Sequence, residues 1–272
     1  MAQDASEFDS DTAVESQGPG RWTAVITPRW NIGAAPNGGY LLALALRALR
    51  EHTGRPDPLT STAHYTSRPE VGPLDLVAGA VVGGRRHATA TIVGSQSGVE
   101  RLRVTATFGD LSAAEGPTHV DLPPPPLPPR DECLLLPKDL EGMPEITQRF
   151  DYAADPGDVG WFLSTPSGVG KIGGYLRFTD GREPDTLALA AVADAFPPAV
   201  FNVIGGLSWV PTLELTVHIR ARPVPGWLRC VFRTRVLVDG YLEEDGEMWD
   251  ERGALVAMSR QLALVLPPPP ES

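Results

Sequence analysis

One segment of this chain occurs twice. Thr62, His64, Arg68, Pro69, Gly72, Leu74 and Val77 recur as Thr216, His218, Arg222, Pro223, Gly226, Leu228 and Val231, all at an offset of 154 residues. Seven identities in sixteen positions at one offset imply that the same supersecondary structure is built twice. The turns repeat too. Gly83-Gly84 is answered by Asp239-Gly240 and Ser97-Gly98 by Arg252-Gly253, each pair set between apolar runs that suit β-hairpins. The period is far longer than the roughly 20 to 50 residues of a solenoid repeat, and 272 residues are enough for two domains of ordinary size. The expectation is two similar units in tandem, over residues 1–120 and 144–272, joined by a Pro-rich linker over 121–143. That linker holds Leu122-Pro-Pro-Pro-Pro-Leu-Pro-Pro-Arg130, which reads as a stiff spacer because proline fixes φ and has no N–H for a ladder or helix. A second proline run, Pro267 to Pro270, follows the last apolar strand.

Each unit offers one helix. In the first, Asn37-Gly38-Gly39 opens onto Tyr40-Leu-Leu-Ala-Leu-Ala-Leu46, apolar on every face, where a surface helix would show a polar stripe. In the second, Pro184 and Asp185 precede Leu187-Ala-Leu-Ala-Ala-Val-Ala193, again apolar all round, until Pro197-Pro198 stop it. Both helices are expected to be enclosed and long, running over Gly39 to Arg50 and Leu187 to Phe196. An enclosed helix followed by three or four antiparallel strands describes a sheet wrapped round a central helix. Two such units pooling their sheets make an α+β double hotdog.

Composition excludes several classes. A formal net charge of −11 argues against a nucleic-acid partner, which needs basic surfaces that release phosphate counterions. The local pairs Arg85-Arg86, Arg101 with Arg103, and Arg220 with Arg222 read first as solvated faces. No apolar run is long enough to span a bilayer, and the acidic start MAQDASEFDSD lacks the basic and apolar regions of a secretory signal. Cys133 and Cys230 are too few for a disulfide framework, and the five histidines show no metal-ligand spacing, so a cytoplasmic protein without a metal is expected.

Asp194 is the ionisable residue of the second apolar stretch, on a face with Leu187, Ala190 and Ala191. A buried carboxylate must find partners or raise its pKa, so it reads either as a helix-end residue reaching an arginine or solvent, or as a site. Thr212 opens a strand after Pro211. Gln261 interrupts the last apolar strand, on a face with Leu255, Ala257, Ser259, Ala263 and Val265.

Trp30-Asn-Ile-Gly-Ala-Ala-Pro-Asn-Gly-Gly-Tyr40, Leu187-Ala-Leu-Ala-Ala-Val-Ala-Asp194 and Gly253-Ala-Leu-Val-Ala-Met-Ser-Arg-Gln261 resemble the acyl-CoA thioesterase II family, whose members are double hotdog proteins. The resemblance runs from about Phe8 to Leu266. It implies hydrolysis of acyl-CoA to fatty acid and CoA with no cofactor beyond the CoA of the substrate, and by motif position it implies Asp194, Thr212 and Gln261 as the catalytic residues. The chain departs from the family at Glu214-Leu-Thr-Val-His218, where an aromatic, His-containing strand is usual, and at Ala195, where larger residues are frequent.

The chemistry suits that trio. Water can attack a thioester directly if a carboxylate takes its proton and two polar groups hold it, with Asp194 as general base and Thr212 and Gln261 as the holders. Gly38 and Gly39 are the candidate substrate-binding residues, since missing side chains permit close approach at a helix N-terminus; the oxyanion donors stay unassigned. Acyl-CoA is the expected partner, with self-association left open. The alternatives are a hotdog enoyl-thioester hydratase or dehydratase, which would use a catalytic His, and a non-enzymatic acyl-CoA-binding protein. Gly94-Ser-Gln-Ser-Gly98 is not a nucleophile elbow because its centre is Gln96, and Gly168 to Gly173 precedes a strand where a dinucleotide loop requires a helix.

Overall fold

The computed structural model describes residues 6–138 and 142–266, so Pro267 to Pro270 lie outside the described residues. The first half runs α1 (Glu7–Asp11), β1 (Val14–Ser16), β2 (Arg21–Ile26), a small pair β3 (Asn31–Ile32) and β4 (Ala35–Pro36), α2 (Gly38–Thr53), β5 (Asp57–Tyr65), β6 (Gly72–Ala78), β7 (Val82–Gly83), β8 (Ala88–Gln96) and β9 (Val99–Gly109). The second half runs β10 (Leu134–Leu135), β11 (Phe150–Ala154), β12 (Lys171–Phe178), α3 (Ala188–Val192), α4 (Phe201–Ile204), β13 (Thr212–Ile219), β14 (Leu228–Arg233), β15 (Leu237–Val238), β16 (Tyr241–Trp249) and β17 (Leu255–Leu264).

Among the described residues, fifteen strands join one antiparallel sheet in the order β1-β2-β6-β8-β9-β5-β13-β17-β16-β14-β12-β11-β10, with β7 beside β8 and β15 beside β16. Outward from the β5–β13 seam the order is the same on both sides: β5, β9, β8, β6, β2, β1 against β13, β17, β16, β14, β12, β11. At the seam Thr62 is paired with Thr216, their hydroxyl oxygens 2.8 Å apart. These two residues are equivalent in the sequence repeat, and a residue that faces its own equivalent lies on a local two-fold axis. The β-bulges obey the same relation, one between Pro58 and Thr60 and the other between Thr212 and Glu214.

Helix α2 is capped at both ends by local chemistry. The Asn37 side chain accepts the Tyr40 N–H at 2.9 Å, and Gly54, at φ 64°, closes the helix with its N–H on the Arg50 carbonyl. Tyr40 through Leu46 are all buried, as an apolar surface without a polar stripe requires. The first charge, Arg47, leads its guanidinium out to Asp9 and Thr12. Each fully buried leucine of this helix contributes about 1.5–3 kcal/mol through the area it removes from water.

The second helix departs from expectation. Leu187 to Ala193 are buried, but α3 covers only Ala188–Val192. The N–H groups of Asp194 and Ala195 bond the carbonyls three residues back, Ala191 and Val192, which tightens the last turn. Phe196, standing before Pro197, is steered out of the helical region, and neither Pro197 nor Pro198 has an N–H to continue the ladder. Helical structure resumes only at α4. The proline segment lies against the second half, where the Tyr175 hydroxyl donates to the Pro128 carbonyl at 3.0 Å. Among the described residues no helix is long and apolar enough to cross a membrane.

Candidate active site

Asp194 sits where α3 ends and α2 begins. Its Oδ2 accepts Asn37 Nδ2 at 2.8 Å and the Gly39 N–H at 2.9 Å, and Asn37 Nδ2 also reaches the Asp194 carbonyl at 2.7 Å. Asn37 therefore serves two elements at once, its oxygen capping α2 and its nitrogen holding the carboxylate. All three contacts cross from the first half to the second. Among the described residues no protein hydrogen bond reaches Oδ1, which leaves one carboxylate oxygen for a ligand or water.

The two glycines before Tyr40 make this approach geometrically feasible. A Cβ on Gly39 would stand 2.7 Å from the Ala190 carbonyl oxygen and 2.8 Å from Asp194 Cβ, while one on Gly38 would stand 2.9 Å from the Tyr65 ring and hydroxyl. Tyr65 closes the other side, donating its hydroxyl to the Gly38 carbonyl at 2.6 Å. Burial pushes the Asp194 carboxyl up to about 6, against the opposing pull of the Gly39 and Gly38 N–H groups and the Asn37 amide. The positive end of α2 favours the anion, but desolvation is the larger effect.

The other two sequence candidates meet each other. Thr212 opens β13 and donates its hydroxyl to Gln261 Oε1 at 2.8 Å. Gln261 faces inward on β17, as the strand alternation predicts, and its Nε2 donates to Glu244 Oε1 at 2.8 Å. Glu244 also accepts the Ala199 N–H at 2.6 Å. Burial pushes Glu244 up to about 7, with the Asp194 charge a further raising cause, so the two carboxyl groups feel each other. The sequence reading missed Glu244, although a signal exists: on β16 it stands between Leu242 and Gly246 on the inward alternation. Asn37 was read only as the start of a helix, and its contact with a residue 157 positions away has no local signature.

The first half lacks these groups. Gln261 and Glu244 are cross-strand partners on β17 and β16, and the register of β9 and β8 puts Ala106 opposite Ala90 at the equivalent place. Pro58, at the first-half bulge, occupies the position equivalent to Thr212. Of the basic pairs noted in the sequence, Arg222 is tied to Asp57 and Asp110, Arg101 to Glu70, and Arg103 to Glu100.

Comparison with known proteins identifies the family and the fold. The family profile described as the acyl-CoA thioesterase N-terminal domain matches residues 26–109, and that of the acyl-CoA thioesterase C-terminal domain matches residues 120–265. A crystal structure from Thermobifida fusca, provisionally named a thioesterase II, superposes with a TM-score of 0.89 at 30% identity, covering 97% of this chain and 99% of that one. A protein of unknown function with a hotdog fold from Alicyclobacillus acidocaldarius gives 0.87 at 24% identity, over 97% of this chain and all of that one. An uncharacterized protein of Mycobacterium tuberculosis is 27% identical, over 88% of this chain and 89% of its own length. With both domain profiles matched in order along one chain, this protein belongs to the acyl-CoA thioesterase family and carries its hotdog fold.

Proposed function

We propose that the chain is a double hotdog acyl-CoA thioesterase, with two units divided near residue 120 and one hydrolytic site formed where they meet. The observation that carries this reading is the Asp194 carboxylate, desolvated, held through one oxygen by Asn37 and Gly39, and open at the other. A carboxyl pushed up to about 6 is still mostly ionised at pH 7, yet far more basic than an ordinary aspartate.

In the proposed reaction a water lies between Asp194 Oδ1 and the Thr212–Gln261 pair. Asp194 takes a proton as the water oxygen attacks the thioester carbonyl. The tetrahedral oxyanion then collapses, the C–S bond breaks, and the departing CoA sulfur takes the proton back. Gly38 and Gly39 at the start of α2 border the path of the thioester, and their missing side chains make room for Asp194 and Tyr65 to pack against the helix start beside it. The histidine that an enoyl-thioester hydratase needs is not offered by the repeat: His64 and His218 are exposed on the seam strands. On this reading the protein acts on acyl-CoA in cytoplasmic fatty-acid metabolism.

The test is thiol release from purified protein across acyl-CoA chain lengths, beside hydration of enoyl-CoA. Thiol release without hydration is the expected result. Hydration without thiol release would support the hydratase instead, and tight acyl-CoA binding without either would leave a binding protein.

A further inference from the structure

The buried carboxylate of Glu244 has no part in the reaction as written. It faces Gln261 directly across the β16–β17 ladder and is 4% exposed. A carboxylate can only accept hydrogen bonds, so the Gln261 nitrogen must face Glu244, the Gln261 oxygen must face Thr212, and Thr212 must donate. The Ala199 N–H on Oε2 fixes the far end of the chain of bonds. Nothing in the fold demands a charge here, because the first half fills the equivalent place with Ala90 opposite Ala106. A buried ionisable group kept where two methyl groups suffice is a cost that stability alone does not explain.

We infer that Glu244 is a positioning residue for thioester hydrolysis: it holds the Gln261 amide in the one orientation that turns the second N–H of Gln261 and the lone pairs of Thr212 toward the attacking water. The inference rests on the roles proposed above for Asp194, Thr212 and Gln261. A proton on Glu244 Oε1 would meet the Gln261 N–H head on. The amide would then turn over, and Thr212 would have to accept instead of donate. Hydrolysis therefore requires two ionised carboxylates. The charged groups acting on Glu244 are Asp194, from the turn after α3, and Glu243, its neighbour on β16. As pH falls below their coupled titrations, log kcat/KM should fall with a slope approaching two, where a single base gives one.

A double-mutant cycle tests this, read as thiol release from an acyl-CoA. Glu244→Ala should lower kcat on the order of 10- to 10²-fold with little change in KM, because it misplaces a group that holds the water. In a Gln261→Ala background the same change should cost nothing further, since Glu244 acts only through that amide. The double variant copies the Ala90–Ala106 pair that the first half already accommodates, so a folded protein is expected. Glu244→Gln supplies a second readout, converting the acid limb from slope two to slope one. An equal loss from Glu244→Ala in both backgrounds, or a parental limb of slope one that Glu244→Gln leaves unchanged, would overturn the inference. A parent that releases no thiol would instead remove the hydrolase reading beneath it, and an Asp194→Asn variant with parental turnover would remove the role of Asp194 on which the inference rests.

Discussion

Replacing Gly39 with alanine adds one methyl group at the junction on which the site depends. That carbon would stand 2.7 Å from the Ala190 carbonyl oxygen, 2.8 Å from Asp194 Cβ and 2.9 Å from the Ala191 carbonyl oxygen. Two of the three neighbours are backbone and cannot rotate away. Relief to an ordinary contact near 3.4 Å needs a shift of about 0.7 Å between α2 and the end of α3. Overpacking of this kind costs about 1–3 kcal/mol, of which alanine's better helix propensity returns at most ~1. With that return in full, a net loss of up to about 2 kcal/mol lowers the midpoint of a domain of this size by up to about 8 °C. The same shift stretches the Gly39 N–H bond to Asp194, now 2.9 Å, and with it the aim of the carboxylate. A misplacement approaching 1 Å costs up to about 10²-fold in kcat. The lost donor also moves the Asp194 carboxyl further above 6, so the acid limb of activity should move to higher pH. Thermal unfolding and steady-state thiol release read all three effects. Gly84→Ala is the control, because a Cβ there meets nothing within 4 Å. Gly39→Ala with the parental midpoint, turnover and pH profile would refute the close-approach argument.

Asp194→Asn should gain stability at neutral pH. The carboxyl pKa is raised on folding, so the native protein binds a proton that the unfolded chain releases; stability is lost as pH rises from the ordinary carboxylate range through about 6. The variant should therefore be more stable than the parent at pH 7 by up to ~3 kcal/mol, seen as a higher unfolding temperature, with the difference vanishing below the ordinary carboxylate range. Thr212→Ala and Gln261→Ala should each slow turnover, and the double variant should be hardly slower than the worse single, as single-turnover thiol release will show. Active-site titration should count one site per chain, because Pro58, Ala90 and Ala106 stand in the first half where Thr212, Glu244 and Gln261 stand in the second.

Much of this was legible in the sequence because it was encoded locally or by repetition. The offset of 154 predicts equivalence of Thr62 and Thr216, and the seam places them face to face. The unbroken apolar surface from Tyr40 to Leu46 predicts enclosure, and the helix is buried. Strand alternation turned Gln261 inward, and Pro211 marked the start of β13. The second helix was read too long because apolar composition reports burial, whereas helix length was set by tight bonds at Asp194 and Ala195 and by the two prolines beyond. Asn37 and Glu244 were missed for different reasons. Asn37 satisfies a local cap, so nothing in its neighbourhood advertises a second partner in the other half. Glu244 lies in the run Glu243-Glu244-Asp245, which looks like a solvated face until alternation separates the inward carboxylate from Asp245, paired outward with Arg260. The close approach at Gly38 and Gly39 is that of Asp194, Tyr65 and the Ala190 and Ala191 carbonyls, and the Gly39 N–H is spent on Asp194 and does not stand free for a substrate oxygen.

The measurement that bears most directly on the account is steady-state thiol release from an acyl-CoA by Asp194→Asn, after its fold has been confirmed by circular dichroism. The asparagine keeps the size of the side chain and an oxygen for the Gly39 N–H, and loses only the ability to take a proton. In this variant kcat should fall by at least ~10²-fold with KM nearly unchanged. A folded Asp194→Asn protein that turns over at close to the parental rate would contradict it and leave the carboxylate as a structural link between the two halves.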